Sequence, residues 1–150
     1  MRNENKEGPR MQMPIFEKYI DELLEKSTLD VPAWNIEKAK AGQKAGWNYI
    51  DGCMILALLE IYRATGEKKY YEFADAFIDH RVMEDGTIAG YRVEEYNIDN
   101  VNAGKTLFAL YEIGGKEKYR KAIDLIYSQI QGQPRTAEGN FWHKKIYPNQ

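Results

Sequence analysis

The sequence predicts an all-α protein whose helices lie in two layers. Three observations lead to this fold class. Apolar residues recur at i, i+3 and i+4 through most of the chain, which is the spacing of helices. Helices that are apolar on every side alternate with helices that are apolar on one face. A pair of such helices occurs twice, about 50 residues apart.

Five helices follow from the apolar spacing and from the glycines that end them. Gly66 and the pair Gly114 and Gly115 stand where a helix C-terminal cap is expected. Between the helices, residues 28–46 are predicted as a connection with at most one helical turn, and residues 87–96 as a short hairpin or a loop. The predicted helices cover residues 14–26, 48–65, 68–82, 101–113 and 117–131.

The second and third helices show the two burial types. Residues 53–59 in the second helix are apolar on all sides, which predicts burial all round, Cys53 included. The third helix has an apolar stripe on one face and charges on the other, which predicts a half-exposed helix. The stripe consists of Tyr70, Phe73, Ala74, Phe77 and Ile78.

The repeated pair indicates how the helices are arranged. In both copies a buried helix is followed by a glycine turn, Lys and Glu residues, a tyrosine and an amphipathic helix. A period near 50 residues is too long for the ~34-residue tetratricopeptide type. One buried and one half-exposed helix per repeat fit an inner and an outer ring, so we expect an α/α toroid. An open α-solenoid is the competing architecture.

Composition excludes several classes. The chain has 150 residues, enough for one domain, and a formal net charge of -2, which argues against a nucleic-acid-binding protein. A single cysteine allows no internal disulfide. No apolar run approaches the ~20 residues of a membrane span. Cys53, His80 and His143 are too few and too scattered to predict a metal site.

Three segments are more specific than ordinary connections: residues 46–52, 95–105 and 134–144. In a two-layer toroid the connections from outer to inner helices emerge at one end, so these polar, aromatic-rich segments should converge on one rim. Helix N-termini at that rim favour a ligand that carries a carboxylate. Convergence of this kind is what a binding site requires.

Each candidate residue also has an ordinary structural explanation. Asp99 or Asn97 is a suitable helix cap, although Asp99, Asn100 and Asn102 together exceed what one cap needs. Gly104 in the next turn is expected to leave space beside them. Taken alone, Trp47 and Tyr49 fit core packing better than a binding role, and His143 also fits an ordinary loop position.

At these residues the chain resembles glycoside hydrolase family 105, the unsaturated rhamnogalacturonyl hydrolases, and more distantly the family 88 unsaturated glucuronyl hydrolases. The resemblance covers nearly the whole chain after about residue 14. Its matching elements are Trp47, Asn48, Tyr49 and Gly52, the run YNIDNVNAGKTLFALYEIGGKEKY over 96–119, and PRTAEGNFWHKKIYP over 134–148.

The resemblance implies a six-hairpin α/α toroid and an unusual glycosidase. Its substrate would be an oligosaccharide left by a polysaccharide lyase, as in pectin degradation, with a C4=C5 double bond in the terminal uronic acid. An aspartic acid protonates that bond, water adds at C5, and the hemiketal opens to release the aglycone. The resemblance implies no metal or organic cofactor. The sequence shows no secretory signal, so we expect a cytoplasmic enzyme, in keeping with the import of such oligosaccharides before cleavage in this family.

Carried over residue by residue, Asp99 resembles a site aspartate that binds sugar hydroxyls and raises the pKa of the acid. His143 resembles the site histidine that contacts the unsaturated sugar. The further residues expected to bind substrate are Trp47, Tyr49, Asn100, Asn102, Arg135 and Trp142. Arg135 is expected to hold either its loop or the substrate carboxylate.

The sequence departs from the family in one respect. There, the segment after the Tyr-Pro pair continues into a Trp-Leu-Asp-Gly stretch whose Asp is the general acid, whereas this sequence ends at Gln150. Residues 1–13 are mostly polar and charged, so we expect them to be a flexible N-terminus. We expect residues 14–150 to be the N-terminal part of a toroid glycosidase domain, truncated before the general acid and inactive by itself.

Two alternatives stay open at this point. A non-enzymatic helical-repeat binding module would give no special role to Asp99, and would scatter Asp99, His143 and Trp47 over a concave surface. Another α/α-toroid carbohydrate enzyme, such as an epimerase or an inverting glycosidase, would need a His-rich rim or paired glutamic acids. The sequence shows neither.

Overall fold

The computed structural model describes residues 14–147, so the predicted flexible segment 1–13 lies outside the described residues. Within that range the chain is helical, with isolated bridges between single residue pairs and no β-strand. None of its helices there is both long and apolar enough to cross a membrane. The elements are α1 (Pro14–Glu25), α2 (Ile36–Lys40), α3 (Tyr49–Thr65), α4 (Lys68–Asp79), a 3-10 helix (Val93–Glu95), α5 (Ile98–Ala103), α6 (Lys105–Gly114) and α7 (Glu117–Gly132).

Both predicted helical hairpins are present. α3 packs against α4, and α6 packs against α7. The first helix of each pair ends at a left-handed glycine, Gly66 (φ 75°) or Gly115 (φ 66°), whose N–H donates to the carbonyl of Tyr62 or Tyr111. Glycine adopts this φ without a Cβ clash, so the two glycines fix where the chain reverses. The repeat in the sequence is therefore a repeat of structure.

The stripe on α4 forms much of the core, as predicted. Tyr70 and Ala74 are fully buried, and Phe77 is 1% exposed. Trp34, from the loop before α2, packs its ring against Phe73 and Phe77 with ring centroids 5.9 and 5.5 Å apart. The long connection between α1 and α3 is thus anchored to the outer helix by aromatic contacts.

α3 is less buried than its apolar run predicts. Ile55, Leu58 and Leu59 are fully buried. Cys53, which the sequence places in the core, is exposed, and Ile50 beside it is 42% exposed. Among residues 14–147, α3 packs against α4, α5 and α6, and Cys53 lies on the side that these helices leave open. An apolar run shows that every side can be buried, but not which side has a partner.

A polar junction joins the two hairpins. Tyr119 on α7 is fully buried, and its hydroxyl donates to Asp75 Oδ1 on α4 (2.7 Å). Burial and the neighbouring Asp75 raise the pKa of Tyr119, which keeps the hydroxyl a donor. Lys116 Nζ lies 2.7 Å from Asp75 Oδ2 and 2.6 Å from Asp79 Oδ1. These contacts hold the start of α7 against α4.

The predicted fourth helix is two helices. It begins earlier than expected, at Ile98, and is interrupted at Gly104 between α5 and α6. The space that Gly104 leaves is filled by α7, since a Cβ at this position would lie 2.6 Å from Ile126 Cδ1. The expectation of open space beside Asp99 is therefore wrong at Gly104, because a core side chain occupies it.

Gly52 permits the packing of α3 on α5. A Cβ at Gly52 would lie 2.7 Å from the Cα of Ala103, which is backbone that has little room to move. The N-terminal half of α3 can approach α5 this closely only because residue 52 has no side chain. This contact places the first turn of α3 beside the end of α5.

We expect Gly52→Ala to destabilise the protein by about 1–3 kcal/mol, as overpacking of a tight contact does. The control is Gly132→Ala, at the end of α7, where an added Cβ meets nothing within 4 Å. That change should leave stability equal or slightly higher. Urea unfolding of both variants measures the difference, and equal midpoints would contradict the close α3–α5 contact.

Candidate active site

The second and third of the segments singled out in the sequence lie side by side. The Ile98 N–H donates to the His143 carbonyl (3.0 Å), and the Lys145 N–H donates to the Glu95 carbonyl (2.9 Å). These two backbone hydrogen bonds join residues 95–98, just before α5, to residues 143–145. The loop after α7 is therefore fixed across the N-terminus of α5, and its side chains reach the first turn of that helix.

Asn97, and not Asp99, caps α5. The Asn97 side chain accepts the N–H of Asp99 (3.1 Å), which satisfies a backbone donor at the helix start. The carboxylate of Asp99 is thereby left free for other contacts. Of the two roles that the sequence allows for Asp99, capping is ruled out by this geometry.

Asp99 lies between two nitrogen groups. His143 Nε2 is 3.2 Å from Asp99 Oδ1, and Lys144 Nζ is 2.8 Å from Asp99 Oδ2. An ionised carboxylate only accepts hydrogen bonds, so the imidazole donates through Nε2. The three side chains are between 27% and 40% exposed, which leaves each one reachable from solvent.

The charges around Asp99 determine its protonation state. Burial works to raise its pKa, but the hydrogen bonds and charges of Lys144 and His143 outweigh burial and hold the pKa of Asp99 below its ordinary value. The carboxylate is therefore ionised at neutral pH. It can accept a hydroxyl hydrogen bond, and in this state it has no proton to donate.

A cavity of about 590 Å³ adjoins this group. Its wall combines charged and polar residues with one apolar residue, and consists of Arg92, Glu94, Glu95, Asn97, Lys144, Lys145 and Ile146. Lys144 belongs both to the cavity wall and to the ion pair with Asp99. The Asp99 group thus lies at the edge of a concave surface large enough for a small ligand.

Trp47 lies behind the start of α5, which agrees with the core packing that the sequence left open for it. Its side chain is 5% exposed, and its Nε1–H donates to the carbonyl of Asn100 (2.8 Å). The buried indole connects the segment before α3 to the backbone of α5. Trp47 therefore supports the helix that carries Asp99 and does not itself face solvent.

Asp51 completes this support. It is 3% exposed and accepts hydrogen bonds from Trp34 Nε1 (2.9 Å) and Asn48 Nδ2 (2.6 Å). Asn48 also caps α3 by accepting the Asp51 N–H (3.0 Å). These contacts make the segment 46–52 a packed support behind the helix that carries Asp99.

The remaining predicted substrate-binding residues are not gathered at Asp99. Tyr49 is 47% exposed at the start of α3, and Asn100 is 8% exposed. Asn102 lines an apolar groove between α5, α6 and α7. Arg135 donates to the Gly139 carbonyl (2.6 Å) and lies over the Phe141 ring, so it holds its own loop.

Trp142 is half-buried beside His143, with its backbone in the loop that crosses α5.

Lys144 is the site residue that the sequence alone did not single out. Its signal was its position directly after His143 in a run already assigned to the site. Between residues 14 and 147 no group of three or more His, Cys, Asp or Glu side chains is placed to hold a metal ion.

Comparison with known proteins decides the family. The sequence model of Glycosyl Hydrolase Family 88 matches residues 19–150. The chain belongs to glycosyl hydrolase family 88. A solved structure of a glycoside hydrolase from family 105 of C. acetobutylicum ATCC 824 is similar to this family 88 chain, with 38% sequence identity and a TM-score of 0.74. The predicted family and the all-α fold class of a family 105 toroid enzyme are thereby confirmed.

The match with that structure is unequal in length. It covers 89% of the family 88 chain and 34% of the family 105 chain. The family 88 chain therefore spans about a third of the relative's length.

We expect Lys144→Met to raise the pKa of Asp99 toward its ordinary value of about 3.9, because a direct cationic partner is lost. A carboxyl group whose pKa is lower in the folded than in the unfolded protein stabilises the fold at any pH above its unfolded-state pKa. Wild type should therefore lose more stability than the variant as the pH falls below about 4. Carbon NMR of the Asp99 carboxyl measures the change. Lys145→Met is the matched control, and an equal response in both variants would contradict the assigned pair.

Proposed function

We propose that this chain carries part of the active site of an unsaturated uronyl hydrolase of the rhamnogalacturonyl type. The observation that carries the proposal is the contact of Asp99 with His143 and Lys144 where two loops cross the N-terminus of α5. Asp99 and His143 are the two residues that the resemblance assigns to the unsaturated sugar. Their contact supports that assignment.

The charges of this group suit a uronic acid. Lys144 and His143 offer hydrogen-bond donors for a carboxylate or for ring oxygens, and ionised Asp99 offers an acceptor for sugar hydroxyls. The adjoining cavity is partly open to solvent, which leaves an oligosaccharide a way in. A substrate that carries both hydroxyls and a carboxylate uses every member of the group.

The proposed reaction is hydration of the C4=C5 double bond. A general acid protonates C4, water adds its oxygen at C5 and gives up a proton, and the resulting hemiketal opens to release the aglycone. Ionised Asp99 is not the proton donor. Its negative charge instead favours the protonated form of a second carboxyl group nearby, since like charges oppose joint ionisation. Asp99 therefore acts as the carboxylate that keeps the acid protonated.

The same reasoning bears on the chain by itself. Within residues 14–147 the side chains that the structure places against Asp99 are those of His143 and Lys144, and neither is a carboxylic acid. We propose that hydration needs an acid besides Asp99, so the isolated chain binds the unsaturated sugar but does not turn it over. The cytoplasmic location and a role in pectin degradation stay predictions from the resemblance.

A non-enzymatic helical-repeat module explains the site less well. Such a module gives no reason for His143 and Lys144 to converge on Asp99, nor for Trp47 to anchor the same helix from behind. The contact of a distant chain segment with one carboxylate, and the packing of a third segment behind the helix that carries it, favour an enzyme site.

Binding tests the proposed substrate class. Titration with an unsaturated galacturonyl-rhamnose disaccharide should shift the NMR signals of the His143 ring and the Lys144 Nζ group. The shifts should weaken in Asp99→Asn, which removes the charge. The saturated disaccharide with the same aglycone is the ligand control, and stronger binding of that sugar would contradict the assignment.

A turnover assay tests whether hydration needs an acid besides Asp99. The purified chain, mixed with the same unsaturated disaccharide, should cause no loss of the enol-ether absorbance. Steady loss of that absorbance, abolished in Asp99→Asn, would show that this chain supplies its own acid and would overturn the proposed inactivity.

A further inference from the structure

A buried glutamine connects the two halves of the candidate site. Gln133, directly after α7, is 6% exposed. Its Nε2 donates to the carbonyl of Tyr96 (2.8 Å) and to the carbonyl of Trp142 (2.7 Å). Tyr96 precedes the helix that carries Asp99, and Trp142 precedes His143. One amide group thus holds the backbone on both sides of the Asp99–His143 contact.

Two further buried side chains hold Gln133 in place. Gln129 on α7 is fully buried, and its Nε2 donates to Gln133 Oε1 (3.0 Å). The Tyr91 hydroxyl, also buried, donates to Gln129 Oε1 (2.7 Å). Burial raises the pKa of Tyr91 to about 12, so the hydroxyl is a donor throughout the neutral range. The side-chain oxygen and nitrogen of Gln133 both have hydrogen-bond partners, which fixes the orientation of its amide group.

The backbone that Gln133 binds is strained. Tyr96 has φ 48° and ψ 38°, and it is the non-glycine residue with positive φ among residues 14–147. A bulky residue in this conformation costs free energy and persists where its surroundings hold it. The left-handed turn at Tyr96 redirects the chain into α5, so the hydrogen bond from Gln133 helps set the direction in which Asp99 is presented.

We infer that Gln133 is a positioning residue, which with Gln129 and Tyr91 sets the separation of Asp99 from His143 and Lys144. The inference rests on the proposed function only in taking those three residues as the site. The polar chain runs from the 3-10 helix region through α7 to both site loops, and it touches neither Asp99 nor His143 itself.

Glutamine is required at this position by its two donors. Two carbonyl oxygens point at the same Nε2 atom, so a residue that lacks two N–H groups leaves at least one buried carbonyl unpaired. Gln133→Met keeps the length of the side chain and removes both donors. Gln133→Glu keeps the shape and places a carboxylate oxygen against two carbonyl oxygens, which should separate the loops further.

The test reads out the geometry of the site without substrate. The pKa of Asp99 is followed by carbon NMR of its carboxyl group in wild type, Gln133→Met and Thr65→Val. Thr65 is the matched control, because it is 4% exposed and its hydroxyl donates to the Ile61 carbonyl within α3. In Gln133→Met the pKa of Asp99 should rise toward about 3.9. In Thr65→Val it should equal the wild-type value, although the melting temperature falls.

An Asp99 pKa in Gln133→Met that equals the wild-type value would overturn the inference and leave Gln133 a purely structural residue. If Gln133→Met does not fold, Tyr91→Phe decides, because it keeps both donors of Gln133 and removes the bond that orients Gln129. That variant should move the pKa of Asp99 in the same direction by a smaller amount, and no movement would overturn the inference. Since no sugar is used, failure of the proposed function would leave this result unaffected.

Discussion

The candidate site depends on two backbone hydrogen bonds that join residues 95–98 to residues 143–145. They connect parts of the chain that are separated in sequence by three helices, α5, α6 and α7. Backbone groups supply both bonds, so the joint itself does not require particular side chains. The hairpin of α6 and α7 spans the distance between the two loops, and the polar junction of Tyr119 with Asp75 holds that hairpin on α4. The packing of the helices is thus what brings Asp99 and His143 together.

The chemistry of the site follows from a balance between burial and charge. Partial burial alone would favour the protonated form of Asp99, whereas Lys144 and His143 favour the ionised form and outweigh burial. A carboxylate that stays ionised suits binding of hydroxyls and electrostatic control of a second acid, and it does not suit proton donation. Because Asp99 stays ionised, the proposed reaction takes its proton from another carboxyl group, and Asp99 keeps that group protonated.

The sequence predicted the long helices and the pairing of α3 with α4 and of α6 with α7, because periodicity and glycine caps are local signals. Gly66 and Gly115 end helices as expected. It did not predict that Trp47 is buried behind α5, or that Ile126 fills the space at Gly104, because each depends on which distant helix is the neighbour. Gln133 carries no local signal at all: a glutamine after a helix is ordinary until two loops are folded onto it.

A crystal structure of the chain with the unsaturated galacturonyl-rhamnose disaccharide tests the account most directly. The account predicts the unsaturated ring against Asp99, with its carboxylate or hydroxyls within hydrogen-bond distance of Lys144 and His143. A sugar bound elsewhere, for instance in the apolar groove beside Asn102, with the Asp99 group unchanged, would contradict it.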